Sequence, residues 1–545
     1  MTQVRDSDFD APRVLGDVSR MRTADSAGRT AITFGSERIS YLAWERMANA
    51  LAAELIDRGV RPGERVALLL PNGPGFLVAY SAIAKAGAVA VPVGTRLGAS
   101  EMRFLLDHGG TRLLVHDAVT AQVAAGLGDV ATIDLDEPGL ATMLGAAPTA
   151  AEDEAAELAG RLPAVAPESD AAIFYTSGTT ASPKGARLSH RAILNCARIV
   201  GERFGITAED VALANLPLYH TATHFIPLPT LVAGGTVVVH EGFKVEEAFE
   251  LLERHRITLF PTVTAVAILM EKFATAKAGE REFDLDALRK VFVGGAGVPP
   301  SLLDSWSAFA PRTTMVNCYG LTEMAPAVSS HDPGLMDAPS GSVGLPYPGV
   351  EVRIVREDGG PADADEVGEV LIRSASVMSG YLDNPEATAA ALRDGWLHTG
   401  DLGTRDADGF LAIVGRKKHM LKRGGENVFP DEVEAALIRH PSVREAIVVG
   451  VPDEVMGERV GAIVASQAEA VVEPGELVSA CAGLLADFKV PEYVSVVDGE
   501  LPKNAVGKVD ARRLHEAARE GTIDWIDLRR GRARGQVAPP RATEA

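Results

Sequence analysis

Phe174-Tyr175-Thr176-Ser177-Gly178-Thr179-Thr180-Ala181-Ser182-Pro183-Lys184-Gly185 follows a short apolar run and packs hydroxyls, glycines and one lysine into a single loop. Glycines let main-chain N–H groups approach an anion with no Cβ in the way, and hydroxyls add donors. Lys184 adds a mobile point charge, so the loop suits a polyphosphate. It is not a Walker A loop, because the G-x-x-x-x-G-K-[ST] spacing is absent. A solvated turn could have the same composition, so the rest of the chain has to decide.

Outward from this loop the chain alternates apolar runs with helical patterns, which is α/β organisation. Arg65 to Leu70 reads as a buried strand, and Tyr41 to Arg58 and Gly75 to Ala86 as amphipathic helices. Phe174 falls on a strand leading into the loop, and Ser189 to Phe204 reads as the next helix. Gly235 to His240 and Val291 to Gly294 read as further buried strands. Ligand loops at strand ends fit an open α/β sheet. From Gly349 to Ser374 the pattern shifts to short alternating strands with turns such as Glu357-Asp358-Gly359-Gly360, a β subdomain. Past the basic stretch Lys417-Lys418-His419 a helix is expected from about Pro430 to His440, then compact α+β patterning to about Leu528. The boundaries expected are therefore a large domain over 1–417, a small one over 418–528 and a disordered Arg-, Gly- and Pro-containing tail over 529–545.

Composition narrows the function classes. With 545 residues, 46% apolar and 23% charged, the chain reads as an ordinary globular protein with large buried cores. A net charge of −21 speaks against nonspecific binding of nucleic acid or an anionic membrane, so an anionic substrate must meet a local positive site. Cys196, Cys318 and Cys481 are too few and too scattered for a disulfide framework or a zinc site. Met1 to Asp10 holds no apolar leader and no run of about 18 apolar residues occurs, so a cytoplasmic protein without stable membrane insertion is expected.

Further motifs follow the loop in order: Pro217-Leu218-Tyr219-His220, Asn317-Cys318-Tyr319-Gly320-Leu321-Thr322-Glu323, Trp396-Leu397-His398-Thr399-Gly400-Asp401, Gly415-Arg416-Lys417-Lys418 through Gly424-Gly425-Glu426-Asn427, and Pro502-Lys503-Asn504-Ala505-Val506-Gly507-Lys508. Together with the first loop they resemble, over nearly the whole chain, the signature motifs of the adenylate-forming superfamily. That superfamily comprises acyl-CoA synthetases, the adenylation domains of nonribosomal peptide synthetases, and beetle luciferases. The resemblance implies an α/β fold with a large N-terminal domain and a small mobile C-terminal α+β domain that swings about a hinge at Lys418.

The chemistry it implies begins from a carboxylate, a poor acyl donor, which attacks the α-phosphorus of ATP to give an acyl-adenylate and pyrophosphate. Charge then builds on phosphate oxygens, and catalysis comes mainly from positioning and cationic stabilisation. By resemblance, Thr176, Ser177, Gly178, Thr179, Thr180 and Lys184 hold the β- and γ-phosphates, and Glu323 with Thr179 or Thr322 fixes Mg²⁺. Tyr319 stacks on adenine, Asn317 bonds its edge, and Gly295 and Ala296 lie along the base, with Gly320 in the same segment. Asp401 offers two acceptors to the ribose hydroxyls, assisted by Arg416. Lys508 is the expected catalytic lysine of adenylation, and His220 stands between acyl pocket and thiol channel.

The acyl-adenylate is next attacked by the thiol of CoA, without any enzyme cysteine. For that step the small domain rotates and presents the Gly424-Gly425 turn along the pantetheine channel, with Lys422, Arg423 and Asn427 near it. Two positions depart from the pattern: Ala181 replaces a usual glycine, and His419 stands where an acidic residue is common. Tyr219 to Leu231, Thr262 to Leu269, Val298 and Met324 to Val328 form a mostly apolar candidate lining for a hydrophobic acid of medium to large size, whether fatty, aryl or polycyclic. No acidic residue follows Pro217 to hold an α-ammonium, which argues against an amino acid. An acyl-CoA synthetase is the leading reading. A ligase loading a carrier protein's phosphopantetheine, a luciferase-type oxygenase and a noncatalytic homologue are the alternatives, and a homodimer is compatible with each.

Overall fold

The protein is described by a computed structural model over residues 12–149, 152–176, 183–278, 280–281, 283–295, 298, 300–417, 419–424, 426–467, 470–503 and 509–529. It divides into two compact units, one of Met1–Arg353, Leu371–Thr399 and Arg405–Ala412, the other of Ile354–Val370, Gly400–Thr404 and Ile413–Ala545.

The first unit is built on two large sheets. In the nine-stranded one, Thr30–Phe34, Thr236–Val239, Val211–Ala214, Leu259–Val263, Lys290–Gly294 and Thr314–Gly320 run parallel side by side. Ala327–His331 and Leu345–Pro346 extend one edge antiparallel, and Glu37–Ser40 the other. These strands read as near-continuous apolar runs because both faces are covered. On one face, Leu213, Phe260, Val291 and Met315 form a core with Phe249, Met270 and Trp306. Those last three come from the helices Val245–Arg254, Thr264–Lys277 and Pro300–Phe309. Glu246 and Glu247 in the first turn of the first helix complement its positive end.

The second sheet of this unit orders Thr132–Asp134, Thr111–His116, Arg65–Leu69, Val89–Pro92 and Asp170–Thr176 in parallel. Lys184–Ser189 then pairs antiparallel with Asp170–Thr176, and Gly380–Tyr381 antiparallel with it. The strand Lys184–Ser189 is not visible in the sequence pattern. The phosphate-loop motif therefore joins the two arms of a hairpin and does not run from a strand straight into a helix. The helix His190–Phe204 starts one residue later than its pattern, because the Ser189 side chain caps it by accepting from Ala192 N–H.

The second unit holds its own sheet, in which the hairpin Val443–Asp453 and Gly457–Ser466 is joined by Tyr493–Val497 running parallel to the second arm. Alternate residues of Ala446-Ile447-Val448-Val449 enter two cores: Ala446 and Val448 pack under Pro430–Ile438 and Pro474–Ala482, while Ile447 and Val449 pack under Ala511–Glu520. Glu351–Val355 and Gly368–Arg373 supply the short strands anticipated between Gly349 and Ser374. Among the described residues no helix is long and apolar enough to cross a membrane.

Candidate active site

In the first unit, antiparallel pairing sets Thr176 directly opposite Lys184. Gly185 must be glycine, since a Cβ there would lie 2.8 Å from Ile173 Cγ2. Lys184 Nζ stands 5.3 Å from the ring centre of Tyr381, a cation–π contact. The Tyr381 hydroxyl donates to Glu323 Oε1 at 2.8 Å, and Glu323 O accepts from Met378 N at 2.9 Å. The expected phosphate lysine and the expected metal carboxylate are thus joined by a tyrosine that no motif singled out. Its one signal is a Gly380-Tyr381 pair between the expected β subdomain and the Trp396 motif.

Glu323 and Thr322 lie on the short helical turn Thr322–Met324, just past the strand Thr314–Gly320. That turn folds back tightly: Leu321 N–H donates to Pro326 O at 3.0 Å, and a Cβ on Gly320 would lie 1.9 Å from the same oxygen. On the strand itself Asn317 is buried, and its Nδ2 donates to Ser342 O at 2.9 Å. Ser342 is held in turn, its Oγ donating to Leu411 O and accepting from Gly344 N–H. Gly294 lies against Cys318 O, 2.8 Å from where a Cβ would stand, and Gly295 takes a positive φ of 80°. Two-residue alternation puts half-buried Tyr319 on the same side of the strand as Asn317.

His220 is half-buried at the end of the Pro217–His220 turn, its ring 5.4 Å from that of Tyr219. Asn72 pins this turn. Its Oδ1 accepts from Leu218 N–H at 2.8 Å, while Nδ2 donates to Leu216 O at 3.0 Å and His240 O at 3.1 Å. Asn72 was not among the expected residues; the available signal was the Pro71-Asn72-Gly73 segment that follows the apolar run ending at Leu70. A small apolar cavity beneath the turn is lined by Leu216, Leu218, Ala222, Pro227 and Pro261, among others. Part of the expected acyl lining is core instead, since Ile226 and Leu231 are buried and Leu231 O accepts from the Tyr41 hydroxyl. His224 is buried as well, its Nε2 2.9 Å from the Tyr80 hydroxyl, and burial holds it uncharged with a pKa down at about 3.

In the second unit Asp401 is almost fully buried and pairs with Arg416 Nε at 2.5 Å. Lys417 pairs with Glu369 at 3.2 Å. The Lys422 side chain is exposed, whereas Arg423 is committed to Glu492 at 2.8 Å. Gly424 has a φ of 59° and donates its N–H to Met456 O at 2.8 Å. His419 stacks on His515 with ring centres 5.2 Å apart. Ser177, Gly178, Thr179, Thr180, Ala181, Ala296, Lys418, Gly425, Lys508 and the tail beyond Arg529 lie outside the described residues.

Chemically, the described residues of this site offer oxygen and cationic contacts for phosphates. Burial pushes the Cys196 thiol up to about 12 and raises that of Cys318 as well, so neither is a thiolate near neutrality. Glu323 is a half-buried carboxylate with one oxygen bonded to Tyr381, a donor suited to a hard cation that takes most of its other ligands from phosphate and water.

Comparison with known proteins finds two family models, that of AMP-binding enzymes over residues 20–382 and that of the AMP-binding enzyme C-terminal domain over 432–508. A feruloyl-CoA synthase of Amycolatopsis is 36% identical over 91% of this chain and 97% of its own length. An indoleacetate–CoA ligase of Aromatoleum aromaticum is 35% identical over 89% of this chain and 95% of its own. The solved o-succinylbenzoate CoA synthetase of Bacillus subtilis in complex with ATP and magnesium superposes with a TM-score of 0.79 at 28% identity, covering 92% of this chain and 99% of that one.

Proposed function

This chain belongs to the AMP-binding enzyme family and is an ATP-dependent acyl-CoA synthetase working through an acyl-adenylate; from that premise we propose which residues carry its two half-reactions and which acid they serve.

In the first half-reaction a carboxylate oxygen bonds to the α-phosphorus of ATP while the bond to pyrophosphate breaks. Thr176, Lys184 and the loop between them hold the β- and γ-phosphates, and the Lys184 charge sits where pyrophosphate departs. Mg²⁺, when bound, neutralises charge on the phosphate oxygens. Glu323 with Thr322 or Thr179 would hold it, and the Tyr381 hydroxyl orients that carboxylate. Because Asn317 Nδ2 is engaged with Ser342, its amide oxygen is the atom that suits the exocyclic amine of adenine. Tyr319 stacks on the base, with Gly295 and Ala296 along it. Asp401 accepts from ribose hydroxyls, with Arg416 holding its orientation. Lys508 bridges carboxylate and α-phosphate oxygens as they approach.

In the second half-reaction the CoA sulfur bonds to the acyl carbon and AMP leaves. Residues 418–528 act as a lid turning about Lys418, which withdraws Lys508 and brings Lys422 and the Gly424-Gly425 turn to the thiol's path. His220 marks the junction between acid and thiol. The relatives named for feruloyl and indoleacetate groups favour an aryl or similarly bulky hydrophobic acid. A reducing, cytosolic setting suits cysteines that are all free. Acid, ATP and CoA are the partners this reading requires.

The observation that carries the reading is the connected set of Lys184, Tyr381 and Glu323 at the strand ends. Its test is acid-dependent pyrophosphate release over octanoate, palmitate, benzoate, cinnamate, ferulate and indole-3-acetate, with and without CoA. Aryl acids should lead, with the thioester formed only when CoA is present. Activity with none of them, and none with a wider acid library, would refute it.

A further inference from the structure

The Gly424 turn sits on a hairpin too small to hold itself. Its arms, Leu421–Arg423 and Glu426–Val428, are three residues each, and the hairpin joins the sheet through one residue pair, Arg423 opposite Gly457. A two-stranded ribbon of that length is marginal in water, so side-chain anchors have to fix its register. One is apolar, Leu421 opposite Val428 in the core of the unit, and the other is charged. Glu492, 5% exposed, accepts from Arg423 Nε through Oε2 at 2.8 Å and from Arg459 Nη1 through Oε1 at 2.7 Å. Arg459 also donates to Asp453 Oδ2 at 2.5 Å. Glu492 is itself held by the sheet, its N–H donating to Val460 O and its carbonyl accepting from Leu528 N–H. Although burial opposes it, Arg423 and Arg459 keep the Glu492 carboxyl below its ordinary range, so the carboxylate stays charged between the two guanidinium groups.

We propose that Glu492 is a positioning residue for thioester formation, locking Arg423 to Arg459 so that the Gly424 turn and the Lys422 side chain are presented in one register. Strand alternation supplies the reason: with Arg423 tied to Glu492, its neighbour Lys422 points to the opposite side, where it is exposed. The Gly424 N–H then reaches Met456 O, and the Lys422 N–H reaches Glu458 Oε2 at 2.9 Å. A slip of one residue exchanges the two cations and removes the turn from the thiol's path. This inference rests on the reading that the Gly424 turn borders that path.

Glu492→Gln keeps the shape and removes the charge. With the best acid of the panel, the KM for CoA should rise roughly 10-fold or more, as expected of a misplaced rather than a missing contact. Acid-dependent ATP–pyrophosphate exchange should stay within about twofold, because it does not use the turn. Glu492→Asp, which keeps the charge, should fall between wild type and Glu492→Gln. An unchanged KM for CoA in folded Glu492→Gln, or equal losses in both half-reactions, overturns the proposal. If Glu492→Gln does not fold, Arg423→Gln combined with Glu492→Gln removes both charges of the pair, and a KM for CoA that does not rise there overturns it equally. Gly424→Ala, strained at positive φ, separates the levels. A normal KM for CoA in that variant refutes the channel reading itself. A raised one beside a normal Glu492→Gln refutes only the role of Glu492.

Discussion

The Tyr381 hydroxyl donates to Glu323 Oε1 at 2.8 Å while Lys184 Nζ lies 5.3 Å from the centre of the same ring. One side chain thus orients the carboxylate expected to meet the metal and braces the cation expected to meet the phosphates. Tyr381→Phe keeps the ring and removes the hydroxyl. Acid-dependent pyrophosphate release should drop about 10-fold, in line with loss of one hydrogen bond to a charged group. Glu323→Gln, tested beside it under a Mg²⁺ titration, should lose at least about 100-fold and require more Mg²⁺. Equal effects of the two substitutions would show that Tyr381 does more than orient Glu323.

Lys508→Ala should abolish adenylation while leaving thioester formation from a preformed acyl-adenylate largely intact, because only the first step gathers charge between carboxylate and α-phosphate. Rapid-quench assays of each half-reaction decide this. Equal loss of both would contradict the role assigned to Lys508.

Asn72→Ala removes three hydrogen bonds that hold Leu216, Leu218 and His240 at the strand ends. The cost should be about 2–4 kcal/mol in urea unfolding, each buried bond contributing about 1 kcal/mol and the stranded backbone groups adding to it. Because the Pro217–His220 turn loses its anchor, the KM for the acid should rise more than the KM for ATP. A variant as stable as wild type would mean that water replaces the amide fully.

Stability should fall on mild acidification. Burial lowers His190 from 6.5 to about 4 and His224 from 6.5 to about 3. The unfolded chain therefore binds protons that the folded chain refuses, and stability is lost as pH drops from about 6.5 toward 4. His190 accepts from Leu15 N–H through Nδ1, so protonating it also breaks that bond. Thermal unfolding followed from pH 7.5 to 4.5 should give a steadily falling Tm. His190→Gln, which cannot charge, should flatten the part of the slope due to that residue.

The hydroxyl, glycine and lysine run from Thr176 to Lys184, and the Asn317 to Glu323 segment, could be read because their meaning is local: spacing along one chain segment sets which groups can meet one ligand. The parallel strands were legible for a similar reason, since doubly covered strands become continuous apolar runs. Lys184–Ser189 was not. Its sequence Lys-Gly-Ala-Arg-Leu-Ser carries no β-branched run, and it is a strand only because Asp170–Thr176 and Gly380–Tyr381 pair with it on either side.

Tyr381, Asn72 and Glu492 were hidden for a different reason. Their partners lie 58, 146 and 69 residues away in the chain, at Glu323, Leu218 and Arg423. Nothing in a local window distinguishes a tyrosine, an asparagine or a glutamate that will be buried from one that will face water. The order of motifs along the chain was enough to point to the family and to adenylation, because each motif is a self-contained piece of backbone chemistry, while the acceptor of the acyl group stayed open among alternatives. Which side chains hold those pieces in register was decided only when strands distant in sequence closed around them, since a hydrogen bond depends on position in space and not along the chain.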